Sequence, residues 1–126
     1  HSYTGNPLAC RAALATLEIF EQDDVLAQNL VLAKRISNEL APLAAHEKVG
    51  HFRQQGMVWA FDAKVEDTKL AATFSRRFFA SALKHELLVR PIGTTVYVMP
   101  PYVLSDSDAG FLAERLQTVF DEVIRA

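Results

Sequence analysis

Leu88-Val89-Arg90-Pro91-Ile92-Gly93-Thr94-Thr95-Val96-Tyr97-Val98-Met99-Pro100-Pro101-Tyr102 holds two short apolar runs joined at Pro91 to Thr94. Leu87, Leu88 and Val89 lead in, and Val96, Tyr97, Val98 and Met99 lead out, so the stretch predicts two strands meeting at a Pro/Gly turn. An arginine stands where the first strand ends. Its planar fork of donors matches a carboxylate, which makes Arg90 the first candidate for a substrate anchor. The plainer reading, an arginine paired with a nearby Glu or Asp, stays open. So does Tyr97 as an amphipathic core tyrosine whose hydroxyl is satisfied by backbone.

Upstream of this stretch, Asp67 or Thr68 caps a predicted helix on which Leu70, Phe74, Phe78 and Ala82 share a face, while Lys69, Arg76, Arg77 and Lys84 form its solvated side. Before it, Val49 to Gln54 and Met57 to Phe61 are short runs around a turn near Gln55-Gly56, and they read as a largely buried antiparallel pair. Two helices come first. Asn6 caps one that runs from Pro7 to about Glu21, with proline at the first helical position, where its missing N–H is not needed. Asp23 or Asp24 caps the next, whose stripe of Leu26, Leu30, Ala33, Ile36 and Leu40 ends before Pro42. Downstream, Ser105 to Asp108 has the form of a capping box, and Leu112, Leu116, Val119, Phe120 and Val123 turn the last helix toward the core. The sum is an α+β domain, with helices packed on one face of a small, mainly antiparallel sheet.

With 126 residues, half of them hydrophobic, the chain has one domain's worth of sequence and is not a disordered polymer. A net charge of −2 with scattered Lys and Arg leaves no basic footprint, so no nucleic-acid partner is expected. The single cysteine, Cys10, lies in an alanine-rich helical run and reads as a small buried hydrophobe in a reducing compartment. No apolar run approaches the ~20 residues that span a bilayer, so a cytoplasmic protein with no membrane partner is expected. His1, His46, His51 and His85 lack metal-ligand spacing, and no metal is expected. Ser2-Tyr3-Thr4-Gly5-Asn6 places small hydroxyls before a helix N-terminus, a setting that suits an anion and equally suits a plain cap. The chain opens at His1 and enters a helix within a few residues, as a segment of something longer would.

His1-Ser2-Tyr3-Thr4-Gly5-Asn6-Pro7-Leu8-Ala9-Cys10 resembles a segment of the omega-type subgroup of fold-type I pyridoxal-phosphate aminotransferases. Arg90-Pro91-x-Gly93-x-x-x-Tyr97-x-Met99-Pro100-Pro101-Tyr102 resembles, more narrowly, the biotin-pathway branch of that family. Members of this branch pass the amino group of S-adenosylmethionine to 7-keto-8-aminopelargonate. The resemblance implies the C-terminal part of a considerably longer homodimeric enzyme. Residues 1–22 would form a phosphate-contact segment and interdomain helix, and residues 23–126 a small domain.

By the same resemblance, Ser2 occupies the place of a hydroxyl that contacts the cofactor phosphate across the dimer interface, and His1 that of an adjacent backbone contact. Arg90 matches the arginine that grips the keto-acid carboxylate, and Tyr97 a tyrosine lining the same site. The Schiff-base lysine and the aspartate on the pyridine nitrogen belong to an upstream domain. None of Lys34, Lys48, Lys64, Lys69 and Lys84 takes the lysine's role, so this chain alone is expected to be inactive. Apolar surface stripped of its neighbours is expected to drive self-association through the first helix. Two other readings remain. One is an omega-type aminotransferase acting on diamines or β-amino acids; the other is a free-standing, non-catalytic ligand-binding or dimerisation domain.

Overall fold

The computed structural model describes residues 4–125. In chain order the elements are α1 (Pro7–Gln22), α2 (Val25–Glu39), α3 (Ala41–Ala44), β1 (Val49–Gln55), β2 (Val58–Ala63), α4 (Thr68–Lys84), β3 (Thr95–Val98) and α5 (Asp106–Arg125). The strands form an antiparallel sheet in the order β1-β2-β3, so the fold is α+β as expected. Among the described residues no helix is long and apolar enough to cross a membrane.

The helix starts follow their capping chemistry. The Asn6 side chain accepts the N–H groups of Leu8 and Ala9, and Pro7 occupies the first turn. The Asp67 carboxylate accepts those of Lys69 and Leu70. Ser105 and Asp108 close a reciprocal box: Ser105 N–H donates to Asp108 Oδ2 at 3.0 Å, and Asp108 N–H to Ser105 Oγ at 3.2 Å. The start of α2 differs. Asp24 holds the cap position with φ 47° and makes no side-chain cap bond, because the corner between α1 and α2 needs a left-handed residue, which Asp tolerates.

The core lies between sheet and helices. Trp59 and Phe61 point to one face of β2: the Trp59 indole N–H donates to Ser37 Oγ of α2 at 2.9 Å, and Phe61 meets Phe120 of α5 edge-on at 5.4 Å. Ile36, Leu40, Phe74, Phe78, Val96 and Leu116 fill the remaining space. The hairpin between β1 and β2 turns at Gly56-Met57, one residue beyond the expected turn, with Gly56 at φ 54°. Of this pair, only β2 is largely buried. β1 is an edge strand, bulged between Gly50 and Arg53, and most of it faces out.

Three further expectations are corrected. Cys10 is exposed, because α1 buries none of its residues within this chain. Leu26 and Leu30 are exposed as well, since only the second half of α2 reaches the core. Arg77 is half-buried rather than part of a wet face, and its guanidinium donates to the carbonyl of Val123 at 3.1 Å.

Candidate functional site

The expected strand at Leu87 to Val89 does not form. The chain leaves α4 through a Schellman turn, in which Leu87 N–H donates to the Ala82 carbonyl at 2.9 Å and Glu86 N–H to that of Leu83 at 3.3 Å. Glu86 takes the left-handed conformation at φ 62°. This turn sends residues 87–91 back along α4, where Pro91 has no N–H for a ladder and Arg90, as a pre-proline residue, is held extended. Leu87, Val89 and Pro91 are buried while Leu88 and Arg90 face out, so the extended alternation survives without strand pairing. Pairing resumes at the Ile92–Thr95 bridge, whose two residues exchange backbone bonds of 2.9 and 3.0 Å around Gly93 at φ 59°. Glycine at the first central position of a two-residue hairpin loop matches a type II′ turn.

Arg90 and Tyr97 come together in space. Both line an open groove of about 690 Å³, walled by Leu88, Met99, Pro100 and Phe111 and closed at one end by the start of α5. Tyr97 alternates with the buried Val96 and Val98, which turns it away from the core. Among the described residues no Asp or Glu pairs with Arg90. Its guanidinium carbon lies instead 5.4 Å from the centroid of the Phe79 ring. The plainer reading of Arg90 as a salt-bridged strand end therefore finds no partner, and its donors are available to a carboxylate. Asp108 also touches the groove, with its carboxyl held below the ordinary range by the Ser105 hydroxyl and the Ser105 N–H.

Two candidates, His1 and Ser2, lie outside the described residues. At the start of α1, the Asn6 side chain occupies the N–H groups of Leu8 and Ala9. Phe79 carries little sign of a site role in the sequence. Its only signal there is that it follows Phe78 and falls off the stripe of Phe74, Phe78 and Ala82. Ser75, one helical turn before Phe79, carries no sequence signal, yet its hydroxyl donates to the Pro91 carbonyl at 2.5 Å.

The chain matches the family model for class-III aminotransferases over residues 1–120. It is 37% identical to the adenosylmethionine-8-amino-7-oxononanoate aminotransferase of Helicobacter pylori, over 98% of this chain and 28% of that protein. It is 32% identical to the protein of the same name from Methanocaldococcus jannaschii, over 97% and 28% of the two chains. The crystal structure of the M. jannaschii protein superimposes with a TM-score of 0.85 at 31% identity, covering 97% of this chain and 29% of that one. An omega transaminase from Pseudomonas jessenii shares the fold, with a TM-score of 0.84 at 23% identity over 94% and 28% of the chains. The chain thus spans about 28% of the length of these two curated relatives. Both the motifs at its two ends and the small antiparallel sheet between its helices agree with these matches: the chain belongs to the class-III aminotransferase family.

Proposed function

We propose that this chain is the C-terminal, substrate-gripping part of a pyridoxal-phosphate-dependent aminotransferase of biotin biosynthesis. The enzyme would transfer the amino group of S-adenosylmethionine to 7-keto-8-aminopelargonate, giving 7,8-diaminopelargonate. The observation that carries the reading is Arg90, a guanidinium without a carboxylate partner among the described residues, set on the wall of a mostly apolar groove beside Tyr97. A long keto acid has the matching chemistry: an aliphatic body for Leu88, Met99 and Phe111, and one terminal carboxylate for Arg90.

The chemistry ahead of α1 suits the cofactor's phosphate. Ser2 and the backbone of His1 would hold it, as hydroxyl and N–H donors near the positive end of a helix whose own first-turn donors Asn6 has already taken. When bound, pyridoxal phosphate supplies the electron sink for amino transfer. This chain's residues do the positioning. Arg90 fixes the far end of the acceptor, Tyr97 lines the path beside it, and the apolar walls exclude water from the alkyl chain.

Residues 1–22 would form the phosphate-contact segment and interdomain helix, and residues 23–126 the small domain. The division is supported by α1, which buries nothing here while α2, α4 and α5 share a core. We place the whole enzyme in the cytoplasm as a homodimer, with Ser2 of each subunit serving the other's cofactor. The isolated chain is expected to have no aminotransferase activity.

The test is Arg90→Ala in the full-length enzyme. Removing one partner of a desolvated charge pair costs about 2 to 5 kcal/mol, so the KM for 7-keto-8-aminopelargonate should rise by about thirtyfold or more. The half-reaction with S-adenosylmethionine should keep its rate. An unchanged acceptor KM would overturn the assignment.

A further inference from the structure

Arg90 borders a second hollow as well as the groove. It is a recess of about 400 Å³ against α4, lined by Ser75, Arg76, Phe79 and Pro91. Ser75 and Phe79 are four residues apart, hence on one side of the helix. Because the Schellman turn folds residues 87–91 back antiparallel to α4, each meets its own part of the returning segment. Ser75 Oγ donates to the Pro91 carbonyl, and the Phe79 ring sits under the Arg90 guanidinium at 5.4 Å. Two consecutive residues of the motif are thus gripped by two side chains one helical turn apart.

The two grips do different work. The Ser75 bond, together with the buried Val89 and Pro91, holds the backbone on both sides of Arg90. Beyond Cα, however, Arg90 has a long flexible side chain on an exposed position, and the backbone alone does not aim it. An aromatic face attracts the guanidinium's charge without using its N–H groups, whereas an ion pair would have spent them.

We propose that Phe79 is a positioning residue for substrate recognition. Its ring holds the Arg90 guanidinium where the groove borders the recess, with the N–H fork free, so that an incoming carboxylate meets a preformed site, while Ser75 fixes the backbone beneath. The proposal rests on the reading of Arg90 as the carboxylate anchor.

The experiment uses the full-length enzyme with Arg90→Ala, Phe79→Leu, Phe79→Tyr and the double variant Arg90→Ala/Phe79→Leu. Leucine keeps apolar bulk in the recess and removes only the aromatic face; tyrosine keeps the face. Two quantities are read: the KM for the keto-acid acceptor, and the Kd of nonanoate, a plain nine-carbon carboxylate, by calorimetry. A cation–π contact of this kind predicts that Phe79→Leu raises both about threefold to tenfold. The rate of the donor half-reaction and the melting temperature should not move, and Phe79→Tyr should restore both quantities. In the Arg90→Ala background Phe79→Leu should have no further effect, since it acts only through the arginine.

Phe79→Leu with unchanged KM and Kd, while Arg90→Ala raises them, would overturn the positioning role and leave the anchor standing. A Phe79→Leu effect that persists without Arg90 would overturn it too, by showing a role in packing alone. If Arg90→Ala itself changes neither quantity, the anchor reading falls and the role of Phe79 falls with it.

Discussion

Leu87 N–H donates to the carbonyl of Ala82 at 2.9 Å, a bond across the end of α4 that turns the chain and lays the Arg90 segment against the helix it has just left. Both residues are buried, which adds the apolar contact that often accompanies such a turn. The groove depends on this reversal, because it brings Arg90 into line with Tyr97 of β3.

The same turn carries a backbone cost. Glu86 adopts φ 62°, a conformation that disfavours any residue with a Cβ, and its side chain is exposed. Glu86→Gly should therefore stabilise the fold by about 1 kcal/mol, the left-handed penalty less the extra freedom of glycine in the unfolded chain. Urea denaturation of the two proteins side by side checks it, and a loss of stability would contradict the role given to this turn.

Asp62 ties β2 to its neighbours. The Thr95 hydroxyl donates to its Oδ1 at 2.7 Å, and His51 and Arg53 approach its Oδ2 at 3.0 and 3.5 Å. The Thr95 bond is the largest influence holding its carboxyl below the ordinary 3.8, with His51 and Arg53 adding to it. A carboxyl with a depressed folded pKa contributes stability that is present above its unfolded value and lost as pH falls through the folded one. Stability should therefore decline as pH drops below about 4. Thr95→Val should move the Asp62 pKa back up toward its ordinary value, read by NMR titration of the carboxyl carbon.

Phe120 is fully buried at the meeting point of α5 and the sheet, with its ring edge-on to Phe61 at 5.4 Å and to His46 at 5.1 Å. Phe120→Ala should cost about 3 to 5 kcal/mol through lost transfer energy and the cavity left behind. The shift in denaturation midpoint measures it. A cost under about 1 kcal/mol would mean that this part of the core collapses around the gap.

Helix α1 presents Leu8, Leu14, Leu17 and Ile19 to solvent at 81, 53, 60 and 53% exposure. Surface of this kind drives association, so the isolated chain should sediment as dimers or larger species. Leu14→Glu/Leu17→Glu, with the two changes on neighbouring turns of one face, should return it to a monomer. An isolated chain that is monomeric without these changes would contradict the expectation.

Local chemistry made much of the architecture legible. Asn6-Pro7, Asp67 and the Ser105/Asp108 pair mark helix starts because their side-chain oxygens readily meet the N–H groups two or three residues on in that geometry. The stripe of Phe74, Phe78 and Ala82 identifies a buried face by its spacing alone. Leu87 to Val89 misled for an equally local reason. Alternating burial occurs in any extended segment, and nothing in those residues announces that the neighbour will be a helix rather than a strand. The turn that causes this uses glutamate where glycine is the usual signal.

The candidate site divides along the same line. The order and spacing of Arg90, Pro91, Gly93, Tyr97 and Pro100-Pro101 carry the resemblance to the family, and a resemblance of that kind is visible in a short stretch of sequence. The sequence by itself determined the helix starts, the buried stripes, the α+β class and the two motifs. Only the tertiary structure decided that Arg90 has an aromatic ring beside it and, among the described residues, no carboxylate, that Ser75 holds Pro91, and that Cys10 is exposed on a helix with no fully buried residue. Those facts depend on which elements pack together, and packing is settled by the sum of many weak contacts between residues far apart in the chain, which no short stretch encodes.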